Sequence, residues 1–377
     1  MTEITDTPAL LWVAPEMYPE PGGIGNQTAY LAKHLAELGY RITVLADTTL
    51  IGEAEAQTFD ARQPYTVLRM LRRRFAWLTY LERISRMHRQ VRRHRQVVCS
   101  GKWPIWLMGV LAPWYRREWV AVVHGSELDL PSGLGRWWLQ RSLSRAHKII
   151  AVSAYTAKHL PNFKGARVPK VEVIGNGIDP EEFSGVGVNG FQRPEHGYPA
   201  LITVGSVKER KGQRKVIEAL PKILEQYPKA RYHIVGLPHE ESALRRRAQE
   251  LGLQDAVVFH GVQPRETVQH LLKASDVFLL PSQHTDRGDF EGYGIAILEA
   301  NVLGVPAVAS QHSGSSDAVT DDSGLLIDQA TPETLAGAVD RLMEQRDQYA
   351  AGARQFASTR SWKAVAQAYH QFLQQSV

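Results

Sequence analysis

The sequence predicts an α/β fold built twice. Short apolar, β-prone runs alternate with longer helical patterns along most of the chain, the mark of parallel strands covered by helices on both faces. At residues 183–199 the stretch FSGVGVNGFQRPEHGYP is rich in glycine and proline, has no apolar period, and splits the alternation into two halves. The length of 377 residues also favours two cores, since a single core stops growing near roughly 250–300 residues. The expected organisation is therefore a first domain at 1–183, a linker at 184–199, a second domain at 200–357, and a final helical segment at 358–377.

In order, the first half reads as strands at 10–14, 42–46, 97–100, 120–124, 149–152 and 171–174, and the second as strands at 201–205, 232–236, 257–261, 277–281, 307–310 and 325–328. After residue 328 the pattern is helical to the end. Candidate chemistry collects where strands end, the edge at which doubly wound sheets bind ligands. The first strand is followed by GGIGN, with Gly22, Gly23, Gly25 and Asn26, and then a helix expected from about Gln27. This glycine loop makes an anion seat without the spacing of a dinucleotide fingerprint. His124 closes the strand in VVHGSE, beside a glycine that leaves its ring open to a cleft; a hydrogen-bonded core histidine is the plainer alternative.

Two loops of the second half carry more. The stretch GSVKERKG, from Gly205 and Ser206 to Gly212, places Lys208, Arg210 and Lys211 after a strand, where cations would neutralise a diphosphate; a basic turn before a surface helix is the alternative. The stretch DFEGYGIAILEANVLGVP, 289–306, follows a later strand of the same half. Gly292 and Gly294 permit close backbone approach around Tyr293, and a helix opening at about Ile295 points its positive end at an anion. Glu291 lies outside that helix and Glu299 within it. Carboxylates beside a phosphate seat are suited to accept hydrogen bonds from hydroxyls, so the pair suggests two polyols; surface glutamates are the alternative.

Composition narrows the class. Cys99 is the single cysteine, which excludes an internal disulfide framework or a cysteine-ligated zinc. The N-terminus lacks a basic leader, and the apolar run at 9–15 is too short to be a signal or to span a membrane, so a cytoplasmic protein is expected. Of the net charge of +5, residues 69–95 carry +9, ten arginines against Glu82, leaving about −4 elsewhere. The basicity is local, and nucleic acid is not an expected partner.

Taken in order, GGIG, HGSE, NGID (176–179), GSVKERKG and the spacing of Glu291 to Glu299 (E-x7-E) make the chain resemble the family 4 retaining glycosyltransferases. The resemblance covers nearly the whole length. It implies two facing Rossmann-like domains of the GT-B architecture, with a C-terminal helix crossing back to the first. It further implies a nucleotide-sugar donor held mainly by the second domain and a glycan or lipid-linked acceptor held mainly by the first. On this resemblance Glu299 takes the ribose hydroxyls, Glu291 contacts the donor sugar, Lys211 contacts the diphosphate, His124 lies near the reacting side of the sugar, and Gly23 faces the phosphate. Donor contacts are also implied along Gly205, Ser206 and Lys208, along Gly292 to Ile295, and at Val262 beside the base. Ser206 replaces the arginine that often follows the glycine of the basic loop, so Arg210 or Lys208 is expected to supply the second cation. Catalysis would fall to His124, Lys211, Arg210 and Glu291. No metal or other cofactor is expected, and no carboxylate is placed to act as a covalent nucleophile. A nucleotide-sugar epimerase and a catalytically silent binding module of the same architecture are the rival readings.

The arginine-rich segment completes the picture. Trp77, Tyr80, Ile84, Met87 and Val91 step by 3 and 4 as one apolar helical stripe expected to dock on the first core, with Arg83, Arg86, Arg89, Arg92 and Arg93 on the other side. Such a basic face, with Arg86, Arg89 and Arg93 at its centre, suits an anionic acceptor or an anionic membrane surface, and so a peripheral position on the inner face of the cytoplasmic membrane.

Overall fold

The computed structural model describes residues 8–20, 22–48, 52–72, 74–115, 117–128, 133–163, 168–186, 197–285 and 288–375. They divide into two compact units. One comprises Met1–Asn176 with Trp362–Val377, and the other Gly177–Ser361.

The first unit is built on a wholly parallel sheet of β1 (Ala9–Ala14), β2 (Arg41–Thr48), β3 (Thr66–Leu71), β4 (Gln96–Ser100), β5 (Glu118–Val123), β6 (Lys148–Ala151) and β7 (Lys170–Val173), in spatial order β3-β2-β1-β4-β5-β6-β7. The reversal of order between β1 and β4 makes a crevice at their carboxyl ends. Strand β3 is not among the expected strands. It is an edge strand of sequence TVLRML, and its charged member, Arg69, breaks the apolar run while pairing with Asp60 at 2.8 Å. The helix expected from Gln27 begins at Gly23, so the glycine motif is that helix's own first turn (Gly23–Glu37).

The C-terminal helix, Trp362–Gln374, belongs to this unit. Tyr369 stacks on Trp12 of β1, Trp362 lies parallel to Tyr30 at 5.4 Å, and the buried Lys148 ammonium donates to the Leu373 carbonyl at 3.0 Å. That last contact satisfies a helix-end carbonyl with a cation, which the helix dipole favours.

The second unit repeats the plan with β8 (Ala200–Val204), β9 (Arg231–Val235), β10 (Val257–Gly261), β11 (Val277–Leu280), β12 (Ala307–Ser310) and β13 (Gly324–Ile327), again wholly parallel, in order β10-β9-β8-β11-β12-β13. All six were expected. Its central strands are buried on both faces, which is why they read as continuous apolar runs rather than alternating ones. The switch point falls between β8 and β11, the strands that feed the basic loop and the 289–306 stretch. Of the expected linker, residues 187–196 lie outside those described. The units divide at Asn176, ahead of the expected boundary, because Glu182 already pairs with Arg265 of the second unit at 2.5 Å.

Candidate functional site

At the switch point of the second sheet, β8 ends at Val204, just before Gly205, and the chain turns through Glu209–Lys211 into the helix Gln213–Gln226. Gly212 makes the turn possible: its φ is +74°, and a Cβ there would lie 2.0 Å from the Pro281 carbonyl. Backbone contact between Gly212 and the end of β11 thus pins the basic loop against the loop that carries Glu291, and the Gln283 N–H reinforces it by donating to the Arg210 carbonyl at 2.9 Å.

Four charges meet there. The Lys211 ammonium lies 2.7 Å from Glu291 Oε2, and Arg210 donates to the same oxygen while its Nε sits 3.2 Å from Asp289. Burial alone would raise the Glu291 pKa, but Lys211 and Arg210 overcome it and hold the carboxyl at about 2. Burial also pulls the Lys211 ammonium below its ordinary value, while Glu291, ahead of all else, holds Arg210 above its own. The second cation of the cluster is therefore Arg210, with Lys208 exposed at the surface. Glu291 sets the position of both cations, a role that spacing alone did not reveal. Ser206 contributes its carbonyl, which accepts from Gln213 at 3.1 Å, and the stem of Lys211 lies over Gly205.

The helix Ile295–Val302 opens beside this cluster at Gly294, whose φ of +83° only glycine adopts readily; a Cβ there would approach the Leu280 side chain at 2.9 Å. Gly292 and Tyr293 are buried in the turn before it, the Tyr293 hydroxyl is held up at about 12 by burial, and the Glu291 carbonyl accepts from Gly314 at 2.8 Å. Glu299 sits one helical turn on. Its carboxyl is pushed up by burial and lies 3.4 Å from Arg265, which also holds Glu182. Arg265 is a site residue the sequence reading missed; its signal was position, at the start of the helix Arg265–Ala274 just beyond β10. Val262, immediately after β10, is more than half exposed. The structure thus gathers Arg210, Lys211, Glu291 and Gly294 around one strand-end crevice and sets Glu299 within the same helix.

The first sheet's switch point has its own cluster. His124, just past β5, exchanges a hydrogen bond of 2.7 Å with Ser100 at the end of β4, and its backbone N–H donates to Glu127 Oε2 at 2.8 Å. Burial drives the imidazole pKa down to about 3, so the ring is neutral at physiological pH. Burial raises Glu127 to about 7, against the hydrogen bonds it receives from the backbone, including Gly125. The second Glu127 oxygen is buried without a partner among the described residues.

The glycine turn holds a surprise. Glu16 Oε1 accepts from Ile24 and Gly25 N–H, each at 3.0 Å, so the expected anion seat at this helix end is taken by the protein's own carboxylate. A Cβ at Gly22 would lie 2.1 Å from Glu16 Oε1, so a larger residue there would displace this carboxylate from the helix end. Gly23 and Asn26 lie in the same first turn, and the next residue, Gln27, donates at 2.6 Å to Asn176 of the NGID motif.

The arginine-rich helix corrects the expected register. Helix Ala76–Val91 buries Thr79, Arg83, Met87 and Val91, whereas Trp77, Tyr80 and Ile84 are exposed. Arg83 is drawn inward because Asp47, buried at the end of β2, needs a counter-charge; its guanidinium grips both Asp47 oxygens and lies over the Trp103 ring at 4.6 Å. Arg86 is partly neutralised by Glu82 at 3.0 Å, while Arg89, Arg92 and Arg93 are exposed.

Comparison with known proteins places this geometry. Residues 21–182 match the profile of Glycosyltransferase Family 4 and residues 190–357 that of Glycosyl transferases group 1. A GDP-mannose-dependent alpha-(1-6)-phosphatidylinositol monomannoside mannosyltransferase of Mycolicibacterium smegmatis is 30% identical over 349 residues, 89% of each chain. The chain belongs to the family 4 glycosyltransferases. A putative colanic acid biosynthesis glycosyltransferase, WcaL of Escherichia coli, is 31% identical over 59% of this chain, and the match spans 54% of WcaL, about half its length. HepE of Anabaena, solved in complex with UDP-glucose, superposes with a TM-score of 0.77 over 97% of this chain and 99% of HepE at 20% identity, which establishes the GT-B fold.

Proposed function

We propose that this chain is a retaining glycosyltransferase that moves a sugar from a nucleotide-diphosphate sugar to a glycan or lipid-linked acceptor. The observation that carries the reading is the pair of cations, Arg210 and Lys211, brought onto one carboxylate at the switch point of the second sheet. Breaking the bond between a sugar carbon and a diphosphate leaves negative charge on the departing oxygen. Two preorganised cations and the helix end at Gly294 stabilise that charge without further reorganisation. The acceptor oxygen bonds to the sugar carbon on the face the diphosphate leaves, and the acceptor proton passes to a phosphate oxygen, which conserves configuration and needs no protein nucleophile.

Glu299 and Arg265 border the place for the ribose, with Val262 beside the base. Within the first unit, neutral His124 is suited to hydrogen-bond a sugar hydroxyl. The HepE complex with UDP-glucose and the mannosyltransferase acting on phosphatidylinositol monomannoside support a nucleotide-sugar donor and a glycolipid acceptor. The reaction proceeds without a metal or other cofactor, in the cytoplasm and peripherally on the inner face of the membrane.

Glu299→Ala is expected to weaken binding of free nucleoside diphosphate about tenfold to a hundredfold, the worth of a charge-assisted hydrogen bond. Glu291→Ala mostly spares that binding, since both cations remain and Asp289 still holds Arg210, and lowers turnover instead. Equal loss of nucleotide affinity in both variants, read by titration calorimetry, would refute the assignment.

A further inference from the structure

The chain that follows β11 holds Arg210 at three points. The Gln283 N–H donates to its backbone carbonyl at 2.9 Å, Asp289 Oδ2 lies 3.2 Å from its Nε, and Glu291 takes its Nη1. The part that carries Asp289 is closed on itself. The Gly288 N–H donates to the Thr285 carbonyl at 2.8 Å, the Asp289 N–H to Thr285 Oγ1 at 3.1 Å, and the Thr285 N–H back to the Asp289 carbonyl at 3.1 Å, with Gly288 at a φ of +91°. Asp289 is thus carried on a fastened turn.

Fold stability does not account for this contact. Asp289 Oδ1 is buried with no partner among the described residues, and an unsatisfied buried oxygen destabilises the fold. Glu291 is already overcommitted, since its Oε2 alone serves both Arg210 and Lys211. A sugar hydroxyl donating to Glu291 competes with both cations, and a diphosphate draws both away. Lys211 is a compact charge that tolerates such a change of partner, whereas a guanidinium acts through the direction of its fork. A hold at Nε fixes that direction and leaves the two terminal nitrogens for phosphate oxygens. We infer that Asp289 is a positioning residue for Arg210, keeping the guanidinium aimed at the diphosphate while Glu291 turns to the donor sugar. The inference rests on the transferase reading for the identity of the ligand, but the hold itself is present in the free protein.

Charge and position predict opposite results. Asp289 repels a departing diphosphate, so if its carboxylate acted only as a charge, Asp289→Ala would speed donor hydrolysis. As a positioning residue its loss slows the reaction: kcat is expected to fall about 10- to 100-fold, as for a displaced catalytic group. Free nucleoside diphosphate is expected to bind Asp289→Ala no more weakly than wild type, because a repelling carboxylate has gone. Thr285→Val leaves every charge in place but removes the hydroxyl that accepts from the Asp289 N–H, and is expected to lower kcat in the same sense by a smaller factor. The hold is read without turnover from the Arg210 Nε–H resonance in NMR of the free protein, expected to exchange slowly with solvent in wild type and fast in Asp289→Ala. An unchanged or raised kcat in Asp289→Ala, or an Nε–H that exchanges alike in both proteins, would overturn the inference. Wild-type protein that releases no nucleotide from any donor, yet shows a protected Nε–H that Asp289→Ala loses, would remove the transferase reading and retain the hold.

Discussion

Glu127 and Glu291 show how burial and neighbours send two carboxyls in opposite directions. Glu291, between two cations, is held at about 2, whereas Glu127, facing backbone N–H groups and little charge, is raised to about 7. A carboxyl whose folded pKa exceeds its unfolded value binds protons more tightly when folded, so its contribution to stability is full below about 4.5 and is lost as pH rises through about 7. The size is about 3 kcal/mol at most. Glu127→Gln is expected to flatten the fall in melting temperature between pH 5 and pH 8, since the amide oxygen still accepts from His124 while no longer titrating. A wild-type slope in the variant would show that Glu127 ionises as in the unfolded chain. None of this was legible from HGSE, where His124 drew attention. The carboxylate three residues on is recognisable only when the turn brings it back beneath the histidine's own N–H. Glu16 was equally hidden, because filling a helix end from eight residues upstream leaves no periodic trace.

Elements were easier to read than the residues between them. The strand ends and the helix at Ile295–Val302 were legible because buried parallel strands are unbroken apolar runs and because Gly294 marks a left-handed turn. That mark makes a prediction: Gly294→Ala carries about 1–2 kcal/mol from the left-handed conformation, and the contact with Leu280 adds to it. A lowered melting temperature accompanied by weaker nucleoside diphosphate binding is expected in a thermal scan with and without ligand. An unshifted transition would mean that the turn relaxes freely. The helix Ala76–Val91 was misread for the opposite reason. Periodicity identified an amphipathic helix, but the side it buries was settled by Asp47, a long-range counter-charge that captures Arg83, rather than by apolar spacing.

For the whole molecule, each half repeats the strand order of a doubly wound sheet, and each puts its candidate chemistry where that order reverses. The architecture could be read from alternation alone, and the family from five motifs in order. Arg265 and the placement of Glu182 could not, since residues 177–183 leave the first unit before any compositional break. The proposed reaction depends on the Arg210–Lys211 cation pair stabilising a departing diphosphate. It is tested most directly by incubating the protein with a panel of nucleotide sugars, in the presence of a chelator, and following both nucleoside diphosphate and sugar by NMR. Slow release of nucleoside diphosphate with one donor, unaffected by the chelator and reduced by about 100- to 1000-fold in Lys211→Ala, is the predicted result. An altered sugar still joined to its nucleotide, or release that needs a divalent metal or survives Lys211→Ala undiminished, would contradict it.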